Sequence, residues 1–186
     1  MFIDKSAGYQ LIFPPGWAVV RQNHDEFNSM LSNEAITYPF LTAELTSIKD
    51  QDPASVRVHA FDIGTDHLQE KYVSHIYTAW NEGILPLDEQ INKVIEDLQK
   101  QDPKANGISY GGKIQNSNKV IMAMVDYTVE ATSLVNDEKI TVFEKRVLFN
   151  AGSGTVTITI SMLADLKDTL IPEYDRILDN IKLVVP

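Results

Sequence analysis

Four consecutive strand-like segments in the second half of the chain constrain the fold more than any other feature of the sequence. They span residues 108–115, 120–132, 139–150 and 155–162. Only the short breaks "NSNK", "VNDE" and "AGSG" separate them, and these are rich in residues typical of hairpin connections. Strands joined by such short connections pair antiparallel, so the four segments are predicted to form an antiparallel meander.

The run "VIMAMVDYTV" at 120–129 is apolar at positions of both parities. A half-buried strand would alternate apolar with polar residues, so this strand is expected to be covered on both faces. Coverage of that kind predicts helices packed above and below the sheet.

Three helices are predicted from apolar residues at helical spacing, at about 37–49, at 87–101 and at about 169–181. The middle helix has the clearest pattern, because its apolar residues form one stripe and its charged residues face water. Pro39 and Pro172 are compatible with the first and last helices if each lies near the helix start.

The stretch "GYQLIFPPGW" at 8–17 is interpreted as a corner in a sheet. Residues 9–13 alternate as a strand, and the two prolines that follow lack backbone donors and end its ladder. Pro15-Gly16 suits the central positions of a type II turn, because glycine accepts the positive φ that the second position requires. Trp17 is predicted to start the return strand, 17–20, and to plug the core beside the turn.

Strand-like runs also occur at 56–63 and 72–80, and the chain ends in "KLVV". The resulting order is β-β-α-β-β-α-β-β-β-β-α-β. It predicts one α+β domain over residues 1–186, built in three layers with a mostly antiparallel sheet between helices.

Composition excludes several classes of function. The formal charge of -10 repels phosphate backbones, so nucleic acid is not an expected partner. The absence of cysteine excludes disulfides, thiolate metal sites and a thiol nucleophile. The longest apolar runs are strand-length, so no membrane span is predicted. The first ten residues lack a secretion signal, so the protein is expected either to be cytosolic or to have an export segment upstream of Met1.

Neither glycine-rich motif indicates catalysis. Gly152-Ser153-Gly154 joins two predicted strands and is interpreted as a hairpin turn rather than a nucleophile elbow. Gly111-Gly112 lies inside a strand-like run without the remaining residues of a phosphate loop, so a bulge is predicted. No nucleophile and base can be paired, and the protein is predicted not to be an enzyme, with no catalytic or cofactor-binding residues and no cofactor.

A divalent-cation site is the first alternative for function. In "FDIGTDHLQE", Asp62, Asp66, His67 and Glu70 could converge on a metal if the segment curls. Their spacing matches neither the calcium loop nor a zinc pattern, and acidic residues are common in this chain. No metal ligand is therefore assigned, and whether Asp62, Asp66 and His67 bind a metal stays open.

A cleft at the end of one predicted strand is the second alternative. Tyr72, Tyr77 and Trp80, with His75, could line it and bind an apolar or sugar-like ligand by stacking. The period of two in a strand assigns at least half of these side chains to the core instead.

The first and last motifs together resemble the PsbP-like superfamily. The family pattern of a Gly-Tyr strand leading into Pro-x-Gly-Trp, and of a helix running into an Ile-Lys-Leu strand, corresponds here to Gly8, Tyr9, Pro14, Gly16, Trp17, Ile181, Lys182 and Leu183. The resemblance implies an αβα sandwich used mainly as a non-enzymatic docking module, and it is greatest to bacterial exported or lipoprotein-like members of unknown function. The matching positions are corner and core, so no functional residue is carried over.

The sequence therefore predicts a non-catalytic binding or assembly domain of an exported or lipid-anchored bacterial protein, with an unidentified protein partner. Two alternatives are kept, a small-ligand or divalent-cation binding protein and a cytoplasmic protein-interaction module. Its location is expected to be extracytoplasmic, with a lipid outside this sequence as the membrane anchor, and a cytoplasmic location is the alternative.

Overall fold

The computed structural model describes residues 1–21, 27, 29, 39–48, 56–64, 68–69, 71–84, 86–101 and 105–185. These residues form a mixed α/β structure with two antiparallel sheets. In chain order the elements are β1 (Phe2–Asp4), β2 (Tyr9–Leu11), β3 (Trp17–Val20), α1 (Pro39–Ile48), β4 (Val56–Asp62), β5 (His75–Glu82), α2 (Leu87–Gln101), β6 (Ala105–Gln115), β7 (Ile121–Thr132), β8 (Lys139–Ala151), β9 (Gly154–Leu163), the 3₁₀ helix Ala164–Leu166, α3 (Lys167–Asp179) and β10 (Lys182–Leu183).

The larger sheet has seven strands in the order β3-β4-β5-β9-β8-β7-β6, and every pairing in it is antiparallel. The predicted meander is confirmed as β6 to β9. Gly152 and Ser153 form a two-residue turn between the paired residues Ala151 and Gly154, as predicted. The predicted bulge is present at Gly111, because the register of β6 against β7 shifts between Tyr110 and Gly112.

The smaller sheet has three strands in the order β1-β2-β10. The prediction that β3 returns along the preceding strand is wrong, because Trp17 pairs with Asp62 of β4 in the larger sheet. The turn at Pro15-Gly16 is present, and Gly16 has the positive φ of 89° that a type II turn requires. The corner therefore transfers the chain from one sheet to the edge of the other.

Trp17 packs beside this corner as predicted. Its ring lies 5.6 Å from that of Phe13 and 5.1 Å from that of Tyr174 on α3. Its indole N–H donates to Glu173 Oε1 at 3.2 Å. Pro14 and Pro15 line a cavity of about 440 Å³ next to it, with Glu173 and Arg176 in the wall, but Trp17 itself is not part of that lining.

The two faces of the larger sheet are covered by different elements. The small sheet and α3 pack on one face, where they bury a large apolar cluster that includes Tyr9, Ile158 and Leu178. On the other face α1 packs against the β3–β4 end and α2 packs against β7 and β8. Strand β7 is buried on both sides, as predicted, because Met122 faces α3 and Ala123 faces α2.

The helix predictions are confirmed, with one correction. Helix α2 has the predicted bounds, and α1 begins at Pro39, where a proline is tolerated. Helix α3 begins at Lys167, earlier than predicted, because a 3₁₀ turn leads directly into it. Pro172 therefore lies inside the helix rather than near its start.

Candidate functional site

A band of polar side chains crosses the middle of the larger sheet on the face that carries α1 and α2. The strand register aligns them in two adjacent rows. One row runs from β7 to β4 as Tyr127, Glu144, Ser161, His75 and Phe61. The next row on the same face runs as Val125, Arg146, Thr159, Tyr77 and His59. We call the polar residues of these two rows, together with Tyr72, the polar band.

The polar band lies between two apolar patches. Helix α1 covers Phe61 and Val20 at one end of the sheet, and α2 covers Val125 and Leu148 at the other. A central strand in a sheet covered on both faces is normally apolar on both sides. Strand β9 departs from this rule, because it presents a hydroxyl at every second residue from Thr155 to Ser161 on the face of the band.

Tyrosine and carboxylate groups interact at the α2 end of the band. The Tyr127 hydroxyl donates a short hydrogen bond to Glu144 Oε2. The guanidinium of Arg146 lies 5.5 Å from the centre of the Tyr127 ring, a cation–π distance. Within the described residues, Arg146 Nε is buried and has no hydrogen-bond partner.

A second set of contacts occupies the α1 end of the band. The hydroxyl groups of Tyr72 and Ser161 are 2.5 Å apart and hydrogen-bonded. His75 Nδ1 lies 2.9 Å from the carbonyl oxygen of Val73 and, when protonated, donates to it. The ring of His75 is 5.8 Å from that of Tyr72, so the imidazole and the phenol are in contact.

Burial keeps several titratable groups of the band neutral at physiological pH. Desolvation, together with the nearby charge of His75, lowers the pKa of His59 to about 3. Burial raises the pKa of Tyr72, although its hydrogen bond with Ser161 opposes that shift. Burial and then Glu144 raise the pKa of Tyr127. These imidazole and phenol groups therefore act as uncharged donors and acceptors.

The band contains one serine and one histidine that face each other across paired strands. Ser161 and His75 are directly opposite each other in the register, which is where a nucleophile and base could meet. Ser161 instead bonds to Tyr72, and His75 bonds to the Val73 carbonyl. No hydrogen bond joins Ser161 to His75 in the part of the chain that the structure describes.

The structure brings together three of the four side chains predicted to line a cleft. Tyr72, His75 and Tyr77 all belong to the polar band, whereas Trp80 is on the opposite face of β5 because its parity differs. Trp80 packs against the large apolar cluster with the Arg57 guanidinium 5.1 Å from its ring centre. Trp80 therefore belongs to the core, and the prediction that it could line the cleft is wrong.

The residues considered as metal ligands are only partly described. Asp62 is buried, and its Oδ1 accepts a hydrogen bond from the Gly64 amide at 3.1 Å. Asp66, His67 and Glu70 lie outside the described residues. Among the residues with assigned positions, no group of three His, Asp or Glu side chains could hold a metal ion.

A cavity of about 420 Å³ extends the band toward the start of α2. Asn81, Thr155 and Thr157 line it from the sheet and Gln90 lines it from the helix. Gln90 donates to Asn150 Oδ1 at 3.2 Å, and Thr155 donates to the same oxygen at 3.1 Å. This network fixes α2 to the β8–β9 hairpin.

Sequence reasoning missed Tyr127, Glu144, Arg146 and Thr159. A signal for part of this set does exist, because the alternation "TVTITIS" places polar residues on one face of the predicted strand 155–162. The two hairpin turns of the meander also fix the register from Tyr127 through Glu144 to Ser161. In the described ranges, no helix is long and apolar enough to cross a membrane.

Comparison with known proteins shows the fold. No known family model matches the sequence, and no curated protein matches it. The structure is similar to that of cyanobacterial PsbP from Synechocystis sp. PCC 6803, with a TM-score of 0.57 at 12% identity over 98% of this chain and 90% of that one. It is also similar to LpqN, described as involved in cell envelope biogenesis of Mycobacterium tuberculosis, with a TM-score of 0.54 at 10% identity over 95% and 83% of the two chains.

A third similar structure is a Pseudomonas aeruginosa protein of unknown function, PA94, described as a putative regulator. Its TM-score is 0.51 at 11% identity, and the match covers 74% of this chain and 86% of that one. Identities this low show the fold alone. The chain therefore has a PsbP-like fold, as the resemblance in its sequence implied.

Proposed function

We propose that this chain with a PsbP-like fold is a single non-catalytic docking domain, associated with the cell envelope and carried by an exported or lipid-anchored protein. The observation that carries the proposal is the pairing within the polar band. Ser161 bonds to a tyrosine and His59 has a pKa of about 3, so neither group is poised as a nucleophile or a base at neutral pH.

The layer arrangement supports an αβα sandwich as the architecture of this domain. Helices α1 and α2 contact one face of the seven-stranded sheet, and α3 contacts the other. The small sheet shares the α3 side, so that layer is helical only in part. A layered scaffold of this kind offers broad, rigid surfaces, which suits docking.

The envelope part of the proposal is supported by one neighbour in particular. LpqN is described as involved in cell envelope biogenesis and covers nearly the whole of this chain. The formal charge of -10 is compatible with the same role, because it disfavours nucleic acid as a partner.

Protease accessibility tests the location. The natural gene, with whatever precedes Met1, carries a C-terminal epitope tag in its own host, and proteinase K is added to intact and lysed spheroplasts. We expect the tag to be lost from intact spheroplasts while a cytoplasmic control protein survives. Protection of the tag until lysis would establish a cytoplasmic interaction module and contradict the envelope assignment.

A hydrolase screen tests the non-catalytic part. Wild-type protein and the Ser161→Ala variant are compared on generic carboxylic and phosphate esters. We expect no turnover by either protein above the buffer rate. Turnover by the wild type that Ser161→Ala abolishes would overturn the assignment and identify Ser161 as a nucleophile.

A small-ligand role for the polar band is the second candidate. It is favoured by the buried Arg146 Nε, which has no hydrogen-bond partner within the described residues. A ligand that binds only the folded state raises the melting temperature, so a thermal-shift panel of small carboxylates and sugars tests it, with Arg146→Met as the control. Calcium, zinc and manganese in the same panel test whether Asp62, Asp66 and His67 bind a metal.

A further inference from the structure

We propose that the edge strand β6 is the docking site, and that its occupant is an extended, basic segment of a partner protein. This segment adds a strand to the sheet along Lys113–Gln115 and places an apolar side chain in the cavity beside it. The inference rests on the docking function proposed above and specifies where and what the domain docks.

The backbone of β6 is available for pairing. Strand β6 ends the seven-strand order and pairs only with β7 among the described strands. The Asn116 amide donates to the Val120 carbonyl at 3.1 Å, so this is a hydrogen-bonded position of the β6–β7 ladder. Hydrogen-bonded positions recur at every second residue, so Ile114 bonds toward β7, whereas the amides and carbonyls of Lys113 and Gln115 point away from it.

Two irregularities limit where a strand can be added. The register of β6 shifts between Asn106 and Ser109 and again between Tyr110 and Gly112. Bulges of this kind twist an edge away from regular pairing and protect it. The regular stretch that remains is Gly112–Gln115, which is long enough for a short peptide strand.

An apolar cavity lies directly beside that stretch. It has a volume of about 320 Å³ and lies between β6 and α3. Ile114, Met122, Met124 and Leu178 supply its apolar wall. Ile114 is 42% exposed, so part of this wall is presented at the edge itself. A side chain that leaves an added strand on the α3 side would enter this space and bury apolar surface.

Charge around the cavity selects a basic partner. Two carboxylates, those of Asp175 and Asp179, line the cavity together with one ammonium group, that of Lys145. The Lys145 ammonium group lies 3.6 Å from Asp175 Oδ1. On the other side of the edge, the ammonium group of Lys113 lies 2.7 Å from the Asp88 carboxylate. Of these three carboxylates, that of Asp179 has no ammonium group paired with it among the described residues, although it accepts hydrogen bonds from Ser117. Its charge attracts a lysine or arginine in the incoming strand, in a protein whose formal charge is -10.

Hydrogen bonds hold the far wall of the cavity in place. Asn116 follows β6 directly and donates two hydrogen bonds to backbone carbonyls, that of Leu178 in the last turn of α3 at 3.1 Å and that of Ile181 just after the helix at 2.9 Å. These bonds fix the helix that forms the far wall of the cavity. A preformed site reduces the ordering cost of binding.

Fluorescence anisotropy with a synthetic strand tests the proposal. The probe is a labelled peptide in which seven alternating threonine and leucine residues are followed by two lysines. It is titrated with the full chain. Two further probes carry N-methyl groups on every threonine or on every leucine. Alternate amides of a strand point to opposite edges, so we expect one methylated probe to bind at least about tenfold more weakly and the other within about twofold of the parent. Equal behaviour of the two methylated probes would overturn the proposal.

Protein variants locate the site. Gln115→Pro removes an outward amide without removing a bond to β7, and Gln115→Ala is its control. Ile114→Ser removes part of the cavity wall, and Ile84→Ser alters an isoleucine that is also exposed but remote in sequence. We expect about tenfold weaker binding for Gln115→Pro and Ile114→Ser, and changes within about twofold for the controls. If Gln115→Pro fails to fold, Ile114→Ser and the methylated probes decide.

Three outcomes separate this inference from the proposed function. Absence of probe binding by a protein that protease accessibility places outside the cytoplasm overturns the edge site and leaves the docking function. Probe binding at β6 supports the edge site whatever the compartment. Dimerisation in sedimentation velocity that Gln115→Pro abolishes shows that the occupant is a second copy, which overturns the assignment to a basic partner.

Discussion

Asn116 is predicted to be the polar residue on which the stability of this fold depends most. It is only 7% exposed and makes four hydrogen bonds through its side chain. Nδ2 donates to the carbonyls of Leu178 and Ile181, and Oδ1 accepts from the amides of Asn118 and Val120. One side chain thus closes the β6–β7 turn and also caps the end of α3.

The loss of stability expected when the Asn116 side chain is removed depends on which of these partners can reach water. The bonds to Leu178, Ile181 and Val120 are buried, whereas the bond from Asn118 is partly exposed. Leaving a buried backbone group unsatisfied costs roughly 1–3 kcal/mol. Asn116→Ala orphans two such groups, the Ile181 carbonyl and the Val120 amide, because the Leu178 carbonyl keeps its bond from the Ile181 amide at 3.2 Å. Partial rehydration lowers the cost, so we expect about 2–4 kcal/mol of destabilisation.

Urea unfolding monitored by circular dichroism measures this loss. Asn118→Ala is the matched control, because the Asn118 side-chain amide makes one exposed hydrogen bond, to the Asp179 backbone carbonyl at 3.1 Å. We expect the control to cost less than about 1 kcal/mol. Equal destabilisation by the two variants would refute the claim that Asn116 joins the turn to the helix.

The Asn116→Asp variant adds a test with a pH dependence. Its carboxylate would lack the two N–H donors of the asparagine side chain and would face the carbonyl oxygens of Leu178 and Ile181. The pKa of this carboxylate in the folded state would therefore lie above the unfolded value of about 3.9. The charged form is then disfavoured in the fold, and the loss of stability relative to wild type grows as the pH rises through that unfolded value. We expect a larger difference between variant and wild type at neutral pH than near pH 4; the reverse order would contradict this account.

Three further predictions concern the rest of the described structure. Tyr72→Phe removes one partly buried hydrogen bond and should cost about 0.5–1.5 kcal/mol in urea unfolding, and a neutral result would contradict that bond. Because the pKa of His59 is lowered to about 3, its proton uptake on unfolding should reduce stability as the pH falls from about 6.5, so His59→Gln should flatten that part of the pH profile. Gly154→Ala would place a methyl group 2.6 Å from the Trp80 indole and should cost several kcal/mol in thermal unfolding, whereas Gly111→Ala, whose nearest contact would be 3.4 Å away, should be mild by the same measurement.

Local patterns were sufficient to predict the elements that neighbouring residues specify. The stripe of α2 gave its bounds, and the short turns gave the meander, because both depend on residues close together in sequence. The turn at Gly152-Ser153 and the bulge at Gly111 followed from the same local chemistry. The missed strand β1 has only three residues, too few for a period of two to be recognised.

Pairings between distant segments could not be predicted in the same way. Strand β3 has the alternation of a strand whichever partner it takes, so nothing local distinguishes pairing with β2 from pairing with β4. The side on which Trp80 lies was equally undetermined, because parity separates it from Tyr77 but does not say which of the two faces the core. Burial of Thr78 against the Tyr9 hydroxyl, at 2.6 Å, is the long-range contact that decides it.

The polar band shows how local and distant pairings combine. The hairpin turns align Tyr127, Glu144 and Ser161, and this part of the row could have been derived from the turns alone. Its continuation to His75 depends on β5 pairing with β9, two strands separated by α2 and the rest of the meander. A buried row of polar groups is stable only if its members satisfy one another, so the bonds of Tyr127 to Glu144 and of Tyr72 to Ser161 are conditions for placing β9 at the centre of the sheet. Two hydroxyls of β9 are satisfied in this way, that of Ser161 by Tyr72 and that of Thr155 by Asn150.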